Sequence, residues 1–168
     1  IIAPDPRLKA VCEPVAEVTE EIAGLMKDML ETMYLAPGVG LSAPQVGIAK
    51  RLVVVDPARR DSEPQPLMMA NPKLVSISED TKTYEEGCLS FPDHYAEVIR
   101  PCKITVSYID ETNNQCEIEA EDLLATCIQH EMDHLNGVLF VDHISALKRG
   151  IILRKLMKSK KRTAAAAE

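Results

Sequence analysis

The sequence predicts an α+β fold, with antiparallel sheets around a central His-Glu-x-x-His helix and with N-terminal and C-terminal helices. Three observations predict this class. An apolar stripe at helical spacing comes first, short apolar and alternating segments bounded by turn residues follow, and helical periodicity returns in the last third of the chain. A run of strands between helices favours antiparallel pairing over alternating strand–helix units.

The first half of the chain predicts one helix and then strands. A helix is expected over 19–35, with acidic residues in its first turn. Its apolar residues form a face expected to pack in the core: Ile22, Leu25, Met26, Met29 and Met33. A Gly/Pro-rich loop is expected over 36–47, a buried strand over 51–56, and one or two further strands over 67–78.

The second half predicts a hairpin and two helices. Residues 102–120 are typical of a hairpin that turns at an Asn-Asn pair. A helix over 121–137 opens with acidic residues and closes at a glycine, and a last helix with a basic end is expected over 144–161. Residues 1–161 are expected to form a single domain, and the alanine-rich segment 162–168 is expected to be a disordered tail.

Composition argues against several classes of protein. The net charge of -7 and the absence of Trp argue against specific DNA binding and against a base-stacking surface. No apolar run approaches the ~20 residues of a membrane span, so no membrane partner is expected. The five cysteines form no Cys-x-x-Cys, which is typical of a reducing compartment and predicts a cytoplasmic location.

The helix over 121–137 carries a pattern typical of metal sites. His130 and His134 lie four residues apart, so both rings leave one helix face and can bind one ion. Glu131, beside the first histidine, can act on a water at such an ion without being a ligand. Apolar neighbours predict a buried helix, and buried imidazoles need partners. The alternative is two histidines on the surface of a charged helix.

A catalytic metal of this kind usually has three protein ligands and one position for water. The third histidine of one peptidase group would fall at Phe140, and the glutamate of another group could only be Glu168, at the terminus. Asp142 and His143 remain as downstream candidates, in a strand-like segment. The best upstream candidate is Cys88, for which the alternative is a buried structural cysteine.

Three segments, taken in order, resemble the motifs of peptide deformylase: GVGLSAPQ over 38–45, EGCLS over 86–90 and HEMDH over 130–134. The resemblance covers nearly the whole chain, and the basic last helix resembles the bacterial form with a helical C-terminus. It implies a single catalytic deformylase domain over 1–161. The implied reaction removes the formyl group from the N-terminal formylmethionine of nascent polypeptides and releases formate. Ser42 stands where the family more often has Ala.

The resemblance also implies roles for particular residues. Cys88, His130 and His134 would bind one divalent metal, most often Fe²⁺ in the family, although this ligand set also suits Zn²⁺, Ni²⁺ and Co²⁺. Glu131 would be the catalytic acid and base. The Gln45 amide and the Leu89 N–H would stabilise the charge that develops on the formyl oxygen.

Substrate-binding residues follow from the same resemblance. Val39, Gly40 and Gly87 would contact the peptide main chain as in strand addition. The methionine side chain would enter a pocket lined by Val39, Leu123, Thr126 and Cys127. The alternative for Leu123 and Cys127 is ordinary core packing. The implied partners are N-formylmethionyl nascent peptides and, through the basic last helix, the ribosome surface.

Two rival functions and one structural hypothesis remain open on the sequence. The first rival is a zinc endopeptidase with Asp142 or His143 as third ligand. The second is a non-catalytic binding protein stabilised by a metal. The structural hypothesis is an ion pair between Glu86 and Arg100 that braces the cysteine turn, and its alternative is two solvated charges.

Overall fold

The computed structural model describes residues 1–58 and 63–165, with side chains described as far as Lys160. Within these ranges the chain forms a helix, seven strands and two further helices. In chain order they are α1 (Glu20–Leu35), β1 (Gly40–Ser42), β2 (Leu52–Val55), β3 (Leu67–Ile77), β4 (Thr81–Gly87), β5 (Tyr95–Pro101), β6 (Lys103–Ile109), β7 (Gln115–Glu121), α2 (Asp122–Leu135) and α3 (Ala146–Ala165). This is the predicted α+β class.

Helix α1 forms as its sequence predicts. The Thr19 hydroxyl caps the helix by accepting a hydrogen bond from the Ile22 N–H at 3.3 Å. The predicted face is confirmed, because four of its five residues are buried and Leu25 is half-buried. The buried residues are Ile22, Met26, Met29 and Met33.

The strands form two antiparallel sheets. Five strands have the order β1-β2-β3-β6-β7, and β4 pairs with β5 in a separate hairpin. The predicted hairpin over 102–120 is β6–β7, whose register runs from Lys103↔Glu121 to Ile109↔Gln115. Its turn places Asn113 at a φ of 63°, a left-handed conformation that asparagine tolerates. The strand expected over 51–56 is β2, and 67–78 contains the single strand β3.

The sequence did not predict the β4–β5 hairpin. Its inward face carries Glu86, Val98 and Arg100, each at most 6% exposed. Because two of these three residues are charged, the hairpin lacks the apolar alternation by which a half-buried strand is recognised. Cys88 directly follows β4 in the connection between the two strands, so the missed element is one that positions the site.

Three other segments differ from expectation. The loop expected over 36–47 contains strand β1 and a 3-10 turn over Ala43–Val46, and the strand-like segment near Asp142 is a 3-10 turn over Phe140–His143. Helix α3 continues to Ala165, beyond the expected start of a tail at residue 162. The remainder of that predicted tail, 166–168, lies outside the described residues.

The two faces of the larger sheet pack on different helices. Val53 and Val55 of β2 pack with α2, whereas Leu52 and Val54 pack with α1. A third cluster joins the 3-10 turn over Phe140–His143 to β5 and α3. Helix α2 thus lies centrally, between the sheet and the β4–β5 hairpin. No helix in the described ranges is long and apolar enough to cross a membrane.

Candidate metal centre

Helix α2 holds two imidazoles in its buried interior. Ile128 and Leu135 are fully buried against the large sheet and anchor the helix, each contributing about 1.5–3 kcal/mol by burial. His130 and His134 are 7% and 1% exposed, with ring centroids 5.2 Å apart. Burial lowers the pKa of His134 well below its usual value, so this imidazole is neutral and able to bind a metal.

The third member of the cluster is a thiol that follows strand β4. Cys88 comes directly after Gly87, the last residue of β4, and the Phe91 N–H donates to the Cys88 carbonyl at 2.8 Å to close the turn. Its Sγ lies 3.3 Å from His134 Nε2. Ligand atoms of Cys88, His130 and His134 all lie within 4.8 Å of one another.

This donor set fits a metal ion. Metal–sulfur and metal–nitrogen bonds of ~2.3 and ~2.1 Å at a tetrahedral angle place the sulfur and nitrogen ~3.6 Å apart. The 3.3 Å between Cys88 Sγ and His134 Nε2 is close to that separation. A thiolate with two imidazoles suits divalent iron, zinc, nickel or cobalt.

The downstream ligand candidates are engaged elsewhere. Asp142 accepts hydrogen bonds from Lys9 Nζ and from the Leu139 N–H, and it forms an ion pair with Arg149. His143 Nε2 contacts Asp133 Oδ2 at 2.7 Å. Neither residue belongs to the metal-ligating cluster among the described side chains. Among the described side chains, the group that lies beside the two imidazoles is therefore the upstream thiol of Cys88.

A buried ion pair orients the first imidazole. Glu86 accepts from Arg100 Nε at 2.5 Å and Arg100 Nη2 at 3.0 Å, which confirms the hypothesised pair. The same carboxylate contacts His130 Nδ1 at 2.8 Å, leaving Nε2 for the cluster. Burial would raise the pKa of Glu86, but the hydrogen bonds from His130 and Arg100 outweigh it and lower the pKa to about 2. Arg100 Nη1 also donates to Asp133, a partner that the sequence did not indicate.

Glu131 is a buried carboxyl group with spare capacity for hydrogen bonding. It is 4% exposed, and its Oε2 has no hydrogen-bond partner among the described groups. Gly40 approaches so closely that a Cβ there would lie 2.4 Å from Glu131 Oε1, so any side chain at this position would displace the Glu131 carboxyl group. Burial raises the pKa of Glu131 to about 7, which suits a group that takes and returns a proton near neutral pH.

Gln45 lies beside the sulfur. Its Oε1 accepts from the Ser42 N–H at 2.9 Å and from the Ser42 hydroxyl at 2.8 Å. Its Nε2 donates to Ser90 Oγ at 3.1 Å and lies 3.5 Å from Cys88 Sγ. The contact with Ser42 is a capping box whose Ser-x-x-Gln spacing is visible in the sequence, whereas the contact with Ser90 depends on how the chain folds.

A cavity of about 560 Å³ opens onto this cluster. The six predicted substrate-binding residues all line it: Val39, Gly40, Gly87, Leu123, Thr126 and Cys127. Thr126 and Cys127 are 5% and 7% exposed and form the inner wall, whereas Val39 and Leu123 are nearly half exposed at the mouth. Burial raises the pKa of Cys127 to about 12, so this second thiol is neutral.

Comparison with known proteins agrees with this geometry. A sequence model described as Polypeptide deformylase matches residues 1–150. A peptide deformylase of Rhizobium meliloti (strain 1021) is 54% identical over 167 residues, which cover 99% of this chain and 96% of the relative.

Solved structures agree as well. The crystal structure of peptide deformylase from Ehrlichia chaffeensis superposes with a TM-score of 0.92 at 39% identity, covering 98% of this chain and 97% of that one. A structure of peptide deformylase from the same organism in complex with actinonin gives a TM-score of 0.90 at 40% identity over 95% of each chain. The motif resemblance is confirmed, and the chain belongs to the polypeptide deformylase family.

Proposed function

We propose that this chain hydrolyses the formyl group from the N-terminal formylmethionine of nascent polypeptides and releases formate. One observation carries the proposal. A thiol and two imidazoles converge within 4.8 Å beside a cavity that Glu131, a buried carboxyl group with one unpartnered oxygen, also lines. Membership of the polypeptide deformylase family indicates which reaction this arrangement of residues would catalyse.

Cys88, His130 and His134 are proposed to hold one divalent ion, with Fe²⁺ as the native metal and Zn²⁺, Ni²⁺ or Co²⁺ as substitutes. When bound, such an ion supplies Lewis-acid chemistry and lowers the pKa of water toward neutrality. Glu86 contributes by holding the His130 ring through Nδ1, which keeps Nε2 directed at the cluster.

Glu131 is proposed to move the proton. Its carboxylate accepts a proton from the attacking water and its carboxylic acid then donates that proton to the leaving amine. A pKa of about 7 allows both steps at neutral pH, because neither protonation state is strongly disfavoured. The unpartnered Oε2 is the atom free to accept.

Leu89 and Gln45 are proposed to stabilise the negative charge that develops on the formyl oxygen. In the described part of the chain the Leu89 N–H donates to no backbone or side-chain group, so it is available to the substrate. The Gln45 amide makes one good bond to Ser90 and one long contact to Cys88 Sγ. The substrate oxygen would replace that long contact. Loss of one such donor typically raises the barrier by about 3 kcal/mol.

The peptide is proposed to bind along the unpaired edge of β1, where Val39 and Gly40 line the cavity. β1 is an edge strand whose described partner is β2, so its outer side can pair with an extended chain near Val39 and Gly40. Gly87 lines the other side of the cavity. The methionine side chain then reaches the apolar inner wall at Thr126 and Cys127.

The rival functions are less well supported. An endopeptidase site needs a third ligand downstream, and both candidates are engaged in contacts away from the cluster. A purely structural metal site has four protein ligands. The described cluster has three, and Glu131, which lines the cavity, has one oxygen without a partner among the described groups.

Formate release tests the proposal. Anaerobically prepared protein, with bound metal quantified in the same sample, should release formate from formyl-Met peptides. Glu131→Gln should keep its metal and lose about 10²–10⁴-fold in kcat, because the proton transfer is removed while the ligands remain. A metal-loaded wild type that releases no formate would refute the proposed reaction.

A cytoplasmic location and contact with the ribosome surface are proposed for the same reaction, since nascent chains emerge there. The support is the basic, exposed end of α3 on a chain of net charge -7. Truncation would remove Leu156, a buried core residue, so charge substitution is the cleaner test. Lys155→Gln with Lys158→Gln should reduce co-sedimentation with ribosomes, and unchanged co-sedimentation would remove this part of the proposal.

A further inference from the structure

The segment 36–40 links α1 to β1 and forms one wall of the cavity. Backbone bonds hold it in place, and one of them runs from the Ala36 N–H to the Thr32 carbonyl at 3.0 Å. The Gly38 N–H donates to the Met33 carbonyl at 2.9 Å, and the Val39 carbonyl accepts from the Asp56 N–H at 2.9 Å. The bond between Asp56 and Val39 extends the β1–β2 ladder one step beyond the Gly40↔Val55 pair. The position of this wall therefore depends on where Asp56 lies.

Asp56 is a buried carboxylate fixed by its own hydrogen bonds. It is 4% exposed and directly follows β2. Its Oδ2 accepts from the Tyr34 hydroxyl at 2.5 Å, and its Oδ1 accepts from the Ala58 N–H at 3.0 Å. Burial and the bond to Asp56 raise the pKa of Tyr34 to about 12, so the phenol remains a donor at neutral pH.

The Tyr34–Asp56 bond closes a loop around the segment. Tyr34 lies in the last turn of α1, just before 36–40, and Asp56 binds the segment at Val39. The segment has little room to move, because a Cβ at Gly40 would already lie 2.4 Å from Glu131 Oε1. A small shift of this wall would change both the edge offered to a peptide and the space around Glu131.

We propose that Tyr34 and Asp56 are positioning residues, which hold the segment 36–40 in the place where it binds the substrate main chain. This inference rests on the proposed function. Neither side chain lines the cavity, so both act through the backbone bond at Val39. Their effect should therefore appear mainly in substrate binding.

Tyr34→Phe removes only a hydroxyl and is the main test. We expect KM for a formyl-Met peptide to rise on the order of tenfold, the cost of losing a hydrogen bond to a charged group, with kcat changed less than about twofold. Amide hydrogen exchange at Asp56 should become faster, since its N–H holds Val39. Bound metal should be unchanged. Tyr108→Phe, which removes a phenol on β6, is the matched control and should leave all three readouts unchanged.

Asp56→Asn provides a second variant. Asparagine retains one acceptor oxygen, so we expect a smaller rise in KM than for Tyr34→Phe, and the double variant should be less than additive. If wild type is active and Tyr34→Phe has the same KM, or if exchange at Asp56 is unchanged, the positioning role is wrong. If wild type releases no formate, the proposed function fails, and the exchange rate at Asp56 alone decides whether the Tyr34–Asp56 bond holds the segment.

Discussion

The charged side chains at the start of α2 and those beside His130 differ in how deeply they are buried. At its N-terminal end, Lys82 pairs with Asp122 and Lys103 with Glu121, and these side chains are between 53% and 62% exposed. Farther along, His130 meets the Glu86–Arg100 pair, whose side chains are 5% and 6% exposed. Exposed pairs contribute little to stability, whereas a buried pair must overcome a large desolvation cost.

The difference shows where buried charge is retained. A buried ion pair is seldom a net gain over apolar packing. Here the pair orients the His130 imidazole of the proposed metal site, and Arg100 extends the pair to Asp133 on the same helix. We propose that the charges beside His130 help to position the proposed site, whereas those at the start of the helix are exposed surface pairs. Four predictions test this comparison, from the largest expected effect to the smallest.

Cys88→Ala should have the largest effect. It removes the only sulfur in the proposed ligand set, and we expect loss of bound metal and of formate release. Metal analysis and the formate assay on the same preparation measure both. Cys116→Ala, a half-buried thiol on β7, is the control and should retain both. Retention of metal by Cys88→Ala would favour a different third ligand.

Arg100→Met should be next. It leaves the buried Glu86 carboxylate without its cationic partner, so we expect destabilisation of about 3–5 kcal/mol in urea unfolding of the metal-free protein. Metal affinity should also fall about 10- to 100-fold, because His130 loses part of its support. A stable variant with unchanged affinity would show that the ion pair is not needed to position the imidazole.

Asp142→Asn should have a smaller effect on stability, and this effect should depend on pH. Burial would raise its pKa, but the bonds from Lys9 and the Leu139 N–H lower it below the ordinary 3.8. The ionised form is therefore favoured in the folded state, and its stabilisation is present above pH 3.8 and lost as pH falls through the folded pKa. Asp142→Asn should be less stable than wild type at neutral pH, with the difference shrinking in acid, as measured by urea midpoints. A difference independent of pH would contradict this, and loss of metal would revive the downstream-ligand alternative.

Lys103→Ala should have the smallest effect. It removes one partner of the exposed pair with Glu121, and we expect no measurable change in the urea midpoint or in metal content. A loss comparable to that of Arg100→Met would remove the contrast between the two ends of the helix.

Sequence reasoning recovered the parts of the fold whose signals are local. Helix α1 has a cap and an apolar face, and the β6–β7 hairpin has an asparagine turn. Both elements can therefore be predicted from a single stretch of the sequence. The β4–β5 hairpin was missed because Glu86 and Arg100 occupy its inward face. Charges that pair across strands resemble surface residues until their partner is known.

Only part of the candidate site could be predicted from local sequence, for the same reason. The spacing of His130 and His134 indicates a metal by itself, since both lie on one helix. Cys88 is 42 residues away from the first histidine, and only the motif resemblance selected it over a structural cysteine. The contact of Glu86 with His130 depends on tertiary packing that no local pattern encodes. The contact of Ser42 with Gln45, by contrast, is a local capping box with Ser-x-x-Gln spacing, a signal that the sequence does contain.

X-ray absorption at the metal edge of the loaded protein tests the central claim most directly. The spectrum should show one sulfur and two imidazole nitrogens bound to the ion, and Cys88→Ala, if it retains any metal, should lack the sulfur. A wild-type spectrum with only nitrogen and oxygen neighbours would show that Cys88 is not a ligand and would contradict the proposed site.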